Sequence, residues 1–256
     1  MKNFREEMRR GMGRGMIAAM LMTMFPMLLA VLGFLPGVYT EKYHASGLMV
    51  NALYKSGLTP VTFIAAAFAY STSYIGDIAN GALRYQLARC GRTRFALSRF
   101  WANAICGALG VAFGEMAFFL ILRTLYPILD IPYRVADTYN AMTMLSYTRP
   151  EFYYFVIVLI QIPGCMFMAS VALAVSAFVR NMYVTLASPV IYVGLVSALP
   201  WQFGEVSLRD LIYLPADLAI WNEGYALFYR YLIYCAAGLA ITFAVFWLSV
   251  CRYKGE

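Results

Sequence analysis

The chain has 256 residues, of which 62% are hydrophobic and only 13% are charged. Charged residues make up about a quarter of an ordinary soluble domain, and a soluble fold of this length cannot bury so much apolar surface. The net charge of +7 does not indicate nucleic-acid binding, because the basic residues lie beside long apolar runs. The composition predicts an all-α polytopic membrane protein. Its partner is the lipid bilayer, and no nucleic acid is expected to bind.

The first residues predict a short amphipathic helix at the membrane interface, over residues 1–14. Phe4, Met8 and Met12 recur at every fourth position with charged residues between them, which places them on one helix face. A disordered basic tail is the alternative. The apolar run that follows is longer than the hydrophobic part of a signal peptide and has no clear A-x-A site. We therefore expect it to be retained as the first span.

Six stretches between the charged residues are long and apolar enough to cross a membrane. A transmembrane helix needs about 20 mostly apolar residues. The first stretch contains Pro26 and the second opens with Pro60, which is well tolerated in a first helical turn. The predicted spans are 16–38, 57–80, 95–122, 152–179, 182–200 and 231–250.

The distribution of Lys and Arg predicts the orientation of these spans. The N-terminus, 77–99, the turn at Arg180 and the C-terminal tail together hold thirteen basic and four acidic residues. The three loops of the opposite side hold seven basic and eight acidic residues. Cytoplasmic loops of membrane proteins carry the excess of positive charge. We therefore expect a multi-pass protein of the plasma membrane with both termini in the cytoplasm.

The longest of these basic segments between spans contains a predicted short helix. Gly81 and Gly91 bracket "ALRYQLARC", nine good helix formers without a breaker. Leu83 and Leu87 share one helix face, while Arg84 and Arg89 point elsewhere. A fixed basic helix over 82–90, held between two spans, is suited to receiving force from a partner protein. The alternative is that these arginines only set topology and contact anionic headgroups.

This layout resembles an ABC-2 type permease, the membrane subunit of exporter-class ABC transporters. The residues that carry the resemblance are "DIANGALRYQLARCGRTRFALSRFWAN" (77–103), which look like the coupling region of that family. The segment 204–230 stands where the family has an outer, partly re-entrant hairpin before the last span. The family often has glutamate where Asp77 stands here.

The resemblance implies a permease that exports a hydrophobic or amphipathic substrate, such as a peptide, a lipid or a drug-like molecule. It implies two copies of a separate ATP-binding ABC subunit, which holds ATP and Mg. It also implies a second copy of this or a related permease, so that the permeases form a homodimer or a heterodimer. In agreement, the chain has no G-x-x-x-x-G-K-[ST] phosphate loop, so no cofactor is expected in it. The coupling helix would dock the ATPase through Leu83, Arg84, Tyr85, Leu87, Arg89 and Arg92.

Several single residues inside the spans are candidates for function or packing. Glu115 is the only charge well inside a span. Such a residue either lines the translocation path, pairs with Arg123, or is neutral and hydrogen-bonded. Pro163 should kink the fourth span, as an element of the path or of the architecture. Gly110 and Gly114 form a G-x-x-x-G face for close helix packing, within the chain or between chains.

No constellation of residues supports catalysis, and no enzyme activity is expected. The only histidine, His44, has no partner cluster, so no metal site is expected. No span contains a serine–histidine pair or H-E-x-x-H. Two alternatives to the exporter stay open: a secondary transporter or channel subunit, and a non-catalytic membrane scaffold of the immunity type.

Overall fold

A computed structural model of the chain describes residues 2–38, 59–125, 149–198, 202–203, 206–207 and 225–253. These residues are helical apart from one antiparallel pair of two-residue strands. In chain order the elements are α1 (Lys2–Gly11), α2 (Arg14–Val38), α3 (Thr59–Phe68), α4 (Ser73–Ala79), α5 (Ala82–Cys90), α6 (Arg92–Leu125), α7 (Pro150–Ser176), α8 (Met182–Ala198), β1 (Gln202–Phe203), β2 (Val206–Ser207) and α9 (Tyr225–Arg252).

Four of the described helices, α2, α6, α7 and α9, are long and apolar enough to cross a membrane. This confirms the prediction of a helical chain with several membrane-spanning segments. Helix α8 is apolar but has only 17 residues, which is the lower limit for a span. The predicted outer hairpin, 204–230, lies outside the described residues except for β2 and the start of α9.

The second predicted span, 57–80, is divided into α3 and α4 with a turn between them. The turn carries the sequence Tyr70-Ser71-Thr72-Ser73, and hydroxyl side chains compete with the backbone for its hydrogen bonds. The Ser73 hydroxyl donates to the Tyr70 carbonyl at 2.6 Å. The chain therefore bends here, and α4 leaves the apolar core toward the charged groups described below.

The glycine face of α6 packs against α2 of the same chain. A Cβ at Gly110 would lie 2.9 Å from the Ala19 Cβ, and one at Gly114 would lie 2.7 Å from the Met20 carbonyl oxygen. Each distance is shorter than van der Waals contact, so only glycine allows the two helices to approach this closely. Of the two arrangements that the G-x-x-x-G pattern leaves open, the structure adopts packing within the chain.

The four segments that the sequence predicts to share one side of the membrane gather at one end of the helix bundle. Arg92, at the start of α6, donates to the Cys251 carbonyl at 2.7 Å. Ser249 donates to the Ala177 carbonyl, beside the turn that carries Arg180, at 3.3 Å. Helix α1 packs along the same part of α6. We call this the basic end of the bundle: α1, α5, the start of α6, residues 177–181 and the end of α9.

Tyr231 of α9 forms hydrogen bonds with backbone groups of α7 beside Pro163. Pro163 has no N–H and interrupts the helical hydrogen bonds. The next amide, Gly164 N–H, donates to the Tyr231 hydroxyl at 2.9 Å, and that hydroxyl donates to the Ile160 carbonyl at 3.0 Å. The hydroxyl thus bridges the Gly164 amide and the Ile160 carbonyl on either side of Pro163. Helix α7 remains helical through the interruption because α9 supplies this bridge.

We expect Tyr231→Phe to lower the free energy of unfolding by about 1–3 kcal/mol, because two buried backbone groups lose their partner. Thermal unfolding in detergent measures the change. The matched control is Tyr229→Phe, since Tyr229 is 61% exposed and its variant should melt like the wild type. Equal melting temperatures of both variants would contradict the bridge.

Candidate functional site

Helix α5 lies across the basic end of the bundle between two glycines in left-handed conformations. Gly81 has φ of 68° and Gly91 has φ of 76°, values that residues with a Cβ rarely adopt. These two reversals separate α5 from α4 and from α6, so α5 is a distinct nine-residue helix over Ala82–Cys90. The predicted coupling helix spans the same residues, 82–90.

The apolar face of α5 is turned toward the chain's own core, whereas the prediction has it docking the ATPase. Leu83 is fully buried against Tyr74 and Phe95, and Leu87 packs against the same core cluster. These leucines therefore attach α5 to its own chain: Leu83 is fully buried and Leu87 is partly buried. The exposed face carries charged and aromatic side chains instead, namely Arg84, Tyr85 and Arg89.

A cluster of four charged residues, three of them buried, lies beneath α5. Its centre is Arg99 of α6, whose side chain is completely buried. The Arg99 Nη1 atom lies 2.7 Å from Glu7 Oε2 of α1 and 2.9 Å from Asp77 Oδ2 of α4. Arg10 of α1 completes the cluster, with its Nη2 atom 2.8 Å from Asp77 Oδ1. We call Glu7, Arg10, Asp77 and Arg99 the charge cluster.

Neutral groups supply further contacts to the charge cluster, although the Arg99 Nε atom has no hydrogen-bond partner among the described residues. The second guanidinium nitrogen of Arg99 donates to the Ser73 hydroxyl at 2.7 Å. The Tyr70 hydroxyl donates to Glu7, and the Arg99 guanidinium lies 4.6 Å from the centre of the Tyr70 ring, within the range of a cation–π interaction. The hydrogen bond to Asp77 raises the pKa of Arg10 above its ordinary value.

The charge cluster is neutral overall and joins α1, α4 and α6. Two guanidinium groups face two carboxylates, and the Arg10 side chain, which is 43% exposed, brings the second positive charge from the surface. Glu6 of α1 also pairs with Arg89 of α5 at 3.1 Å, at the exposed surface. Arg89, which the sequence assigns to ATPase docking, is thus partly engaged within the chain. Movement of α5 is consequently coupled to α1 as well as to the two helices that flank it.

Sequence reasoning missed the charge cluster because each of its residues has a simpler interpretation. From the sequence alone, Arg99 belongs with the arginines that set topology, and Glu7 belongs with the interfacial helix. One signal was available: Arg99 lies inside the predicted third span, 95–122, where an arginine requires a counter-charge. Its partner Glu7 lies 92 positions away on α1, and its partner Asp77 lies on α4, beyond the intervening helix α5, so their identity could not be read from spacing.

Glu115 lies in the interior of the described helix bundle. Its side chain is fully buried, and within the described part of the chain neither carboxylate oxygen receives a hydrogen bond. Gln161 of α7 approaches it without completing one. The Tyr154 hydroxyl donates at 2.7 Å to the backbone carbonyl of Glu115 instead. The suggested pair with Arg123 does not form a hydrogen bond to this carboxylate.

The other predicted site residues lie apart from the charge cluster. Pro163 is half-buried in α7 beside the Tyr231 bridge, and Gly110 and Gly114 face α2. Arg92 is exposed and bonded to carbonyls of Cys251 and Tyr253. Among the described residues no three His, Cys, Asp or Glu side chains group in a way that could hold a metal ion. His44 lies outside the described residues.

Comparison of the chain with models of protein families, with curated proteins and with solved structures finds no match. The functional interpretation therefore depends on the geometry of the basic end.

We expect Arg99→Met to lower the free energy of unfolding by about 3–5 kcal/mol, because it leaves the buried carboxylates of Glu7 and Asp77 with only the partly exposed Arg10 as counter-charge. Thermal unfolding in detergent and tryptic cleavage within α1 measure the change. Arg94→Met is the matched control, since Arg94 is an exposed arginine of the same helix.

A thermodynamic cycle isolates the contact itself. The losses from Glu7→Gln and Arg99→Met should be less than additive in the double variant, because both remove the same ion pair. Additive losses, or an Arg99→Met protein as stable as the Arg94→Met protein, would contradict the role of the cluster.

Proposed function

We propose that this chain is the membrane-spanning permease subunit of an ATP-driven exporter of the ABC-2 type. The observation that carries the proposal is α5. It is a short helix of fixed position that lies across one end of an apolar helix bundle, separated from its flanking helices by two left-handed glycines. Its exposed face is available to a partner, and its buried face attaches it to the bundle.

The arrangement around α5 supports transmission of force to several helices at once. Leu83 anchors α5 in the core formed with α6 and α9. The Glu6–Arg89 pair joins it to α1, and the charge cluster joins α1 to α4 and α6. A push on the exposed face of α5 would therefore tilt a connected unit. Such a unit is what a transporter driven by a separate ATPase requires.

Six spans are part of the proposal. Helices α3 and α4 together would form the second span, with the bend at 69–72, and α8 would form the fifth. Helix α3 contacts α2, α6, α7 and α8, and α8 contacts α3 and α7. The basic end would face the cytoplasm under the positive-inside rule, which would place both termini there, in the plasma membrane.

In the proposed complex, two permease chains, identical or related, would work with two copies of an ATP-binding subunit that holds ATP and Mg. The substrate would be hydrophobic or amphipathic, a peptide, a lipid or a drug-like molecule, because the bundle presents few buried charges apart from the charge cluster and Glu115. This chain would bind and move the substrate without hydrolysing ATP.

A secondary transporter is the competing function, and Glu115 is the observation that favours it. A buried carboxylate without a hydrogen-bond donor in the described structure is a group on which proton or cation coupling can depend. Under this alternative the chain would work without an ATPase, and transport would require Glu115.

Purification in mild detergent after co-expression with the neighbouring genes distinguishes the two functions. We expect a stoichiometric ATP-binding subunit and ATPase activity in the eluate. The variant Arg84→Glu with Tyr85→Asp, on the exposed face of α5, should lose the partner by a factor of at least about 10, the effect of removing one interfacial hot spot. Leu83 is left unchanged, because a charge at this buried site would unfold the bundle.

The matched control is Arg180→Glu with Tyr183→Asp, which makes the same chemical change at two exposed residues, one in the turn before α8 and one in its first turn. It should keep the partner and its ATPase activity. A chain that purifies without any ATP-binding subunit, or a partner that binds both double variants as tightly as the wild type, would contradict the proposal.

A further inference from the structure

An open groove of about 1280 Å³ lies between α1 and the first half of α6. Its wall from α1 includes Phe4 and Arg5, and its floor from α6 includes Arg94, Leu97 and Trp101. The groove is separate from the exposed face of α5, since neither Arg84 nor Tyr85 lines it. The charge cluster, which holds α1 against α6, also fixes the two walls of the groove.

The floor of the groove changes from charged to apolar along the helix axis. Arg94, Leu97, Trp101 and Ile105 follow one another at intervals of three and four residues, so they share one face of α6. With a rise of 1.5 Å per residue, Arg94 and Ile105 lie about 16 Å apart along the axis. An amphiphile with a polar head and an extended chain fits this gradient.

The charged end of the groove is positive and is not neutralised by the chain. No carboxylate among the described residues pairs with Arg5 or Arg94, because Glu6 is paired with Arg89 and Glu7 with Arg99. Two guanidinium groups so placed are suited to a phosphate group, which they bind through charge-assisted hydrogen bonds. The chemistry of the groove therefore requires an anionic head.

The position of the groove matches the depth of lipid headgroups. The long apolar helix α6 begins at Arg92, two residues before Arg94, so the arginine lies where the span begins. Trp101 and Leu97 are 40% and 47% exposed, and tryptophan is enriched at the boundary between headgroups and hydrocarbon.

We infer that this groove binds one anionic phospholipid, with its phosphate between Arg5 and Arg94 and an acyl chain along Leu97, Trp101 and Ile105. The inference needs only a membrane-embedded chain and is independent of the proposed transport function. The bound lipid would connect α1 to α6 from the outside, as the charge cluster connects them from the inside.

Native mass spectrometry of the purified chain tests the inference, with phosphatidylglycerol and phosphatidylcholine of identical acyl chains as probes. We expect one phosphatidylglycerol to be retained in preference to phosphatidylcholine. Each arginine near an anionic lipid contributes about a fivefold gain in binding, so Arg5→Gln with Arg94→Gln should weaken retention by about 25-fold. Arg9→Gln with Arg84→Gln removes the same charge from exposed sites of the basic end and should keep the wild-type retention.

Two results would overturn the inference directly: equal retention of both lipids by the wild type, or wild-type retention of phosphatidylglycerol by Arg5→Gln with Arg94→Gln. A third would assign the groove to another occupant. If the wild type is a dimer that the Arg5 and Arg94 variant dissociates while lipid retention is unchanged, the groove is a contact between two copies of the chain. All substituted side chains are exposed, so the variants should fold.

Discussion

The arrangement of the basic end depends on one buried cation. Arg99 lies inside the bundle with no exposed surface, and an unpaired guanidinium in such a place would cost several kcal/mol. Its two carboxylate partners come from different parts of the chain, Glu7 from α1 and Asp77 from α4. The position of α1 on the bundle and the direction of α4 are therefore both determined by the need to surround Arg99.

The same requirement for satisfied polar groups governs the interrupted helices. Within a membrane every backbone donor and acceptor needs a partner from the protein. At the bend between α3 and α4, Ser71 donates to Asn103 Oδ1 at 3.0 Å and Asn103 donates to the Ala169 carbonyl at 2.8 Å. At the proline of α7, Tyr231 supplies the missing partner. Each irregularity thus connects helices that are distant in the sequence.

Local features of the structure could be predicted from local sequence. Gly81 and Gly91 mark the ends of α5 because a positive φ favours glycine, and the long apolar helices follow from residue composition alone. The side of α5 that is buried could not be predicted: Leu83 and Leu87 form an apolar face whether that face meets the chain's own core or a partner.

Contacts between distant segments were beyond sequence reasoning for a physical reason. Nothing in the local sequence distinguishes Arg99, Glu7 and Asp77 from ordinary charged residues near the ends of helices. Only their distances in the structure show that they pair. Tyr231 is likewise one of 20 tyrosines, and nothing in its local sequence indicates its role. Pro163 indicated that α7 would be interrupted, but the residue that compensates for it belongs to α9.

The most direct test of the account is amide hydrogen exchange in α1, residues 2–11, measured on the wild type and on Arg99→Met. If the charge cluster holds α1 on the bundle, its amides are protected in the wild type and lose that protection in the variant, while α7 exchanges as before. An α1 that exchanges like a free peptide in the wild type, or that stays protected without Arg99, would contradict the central claim.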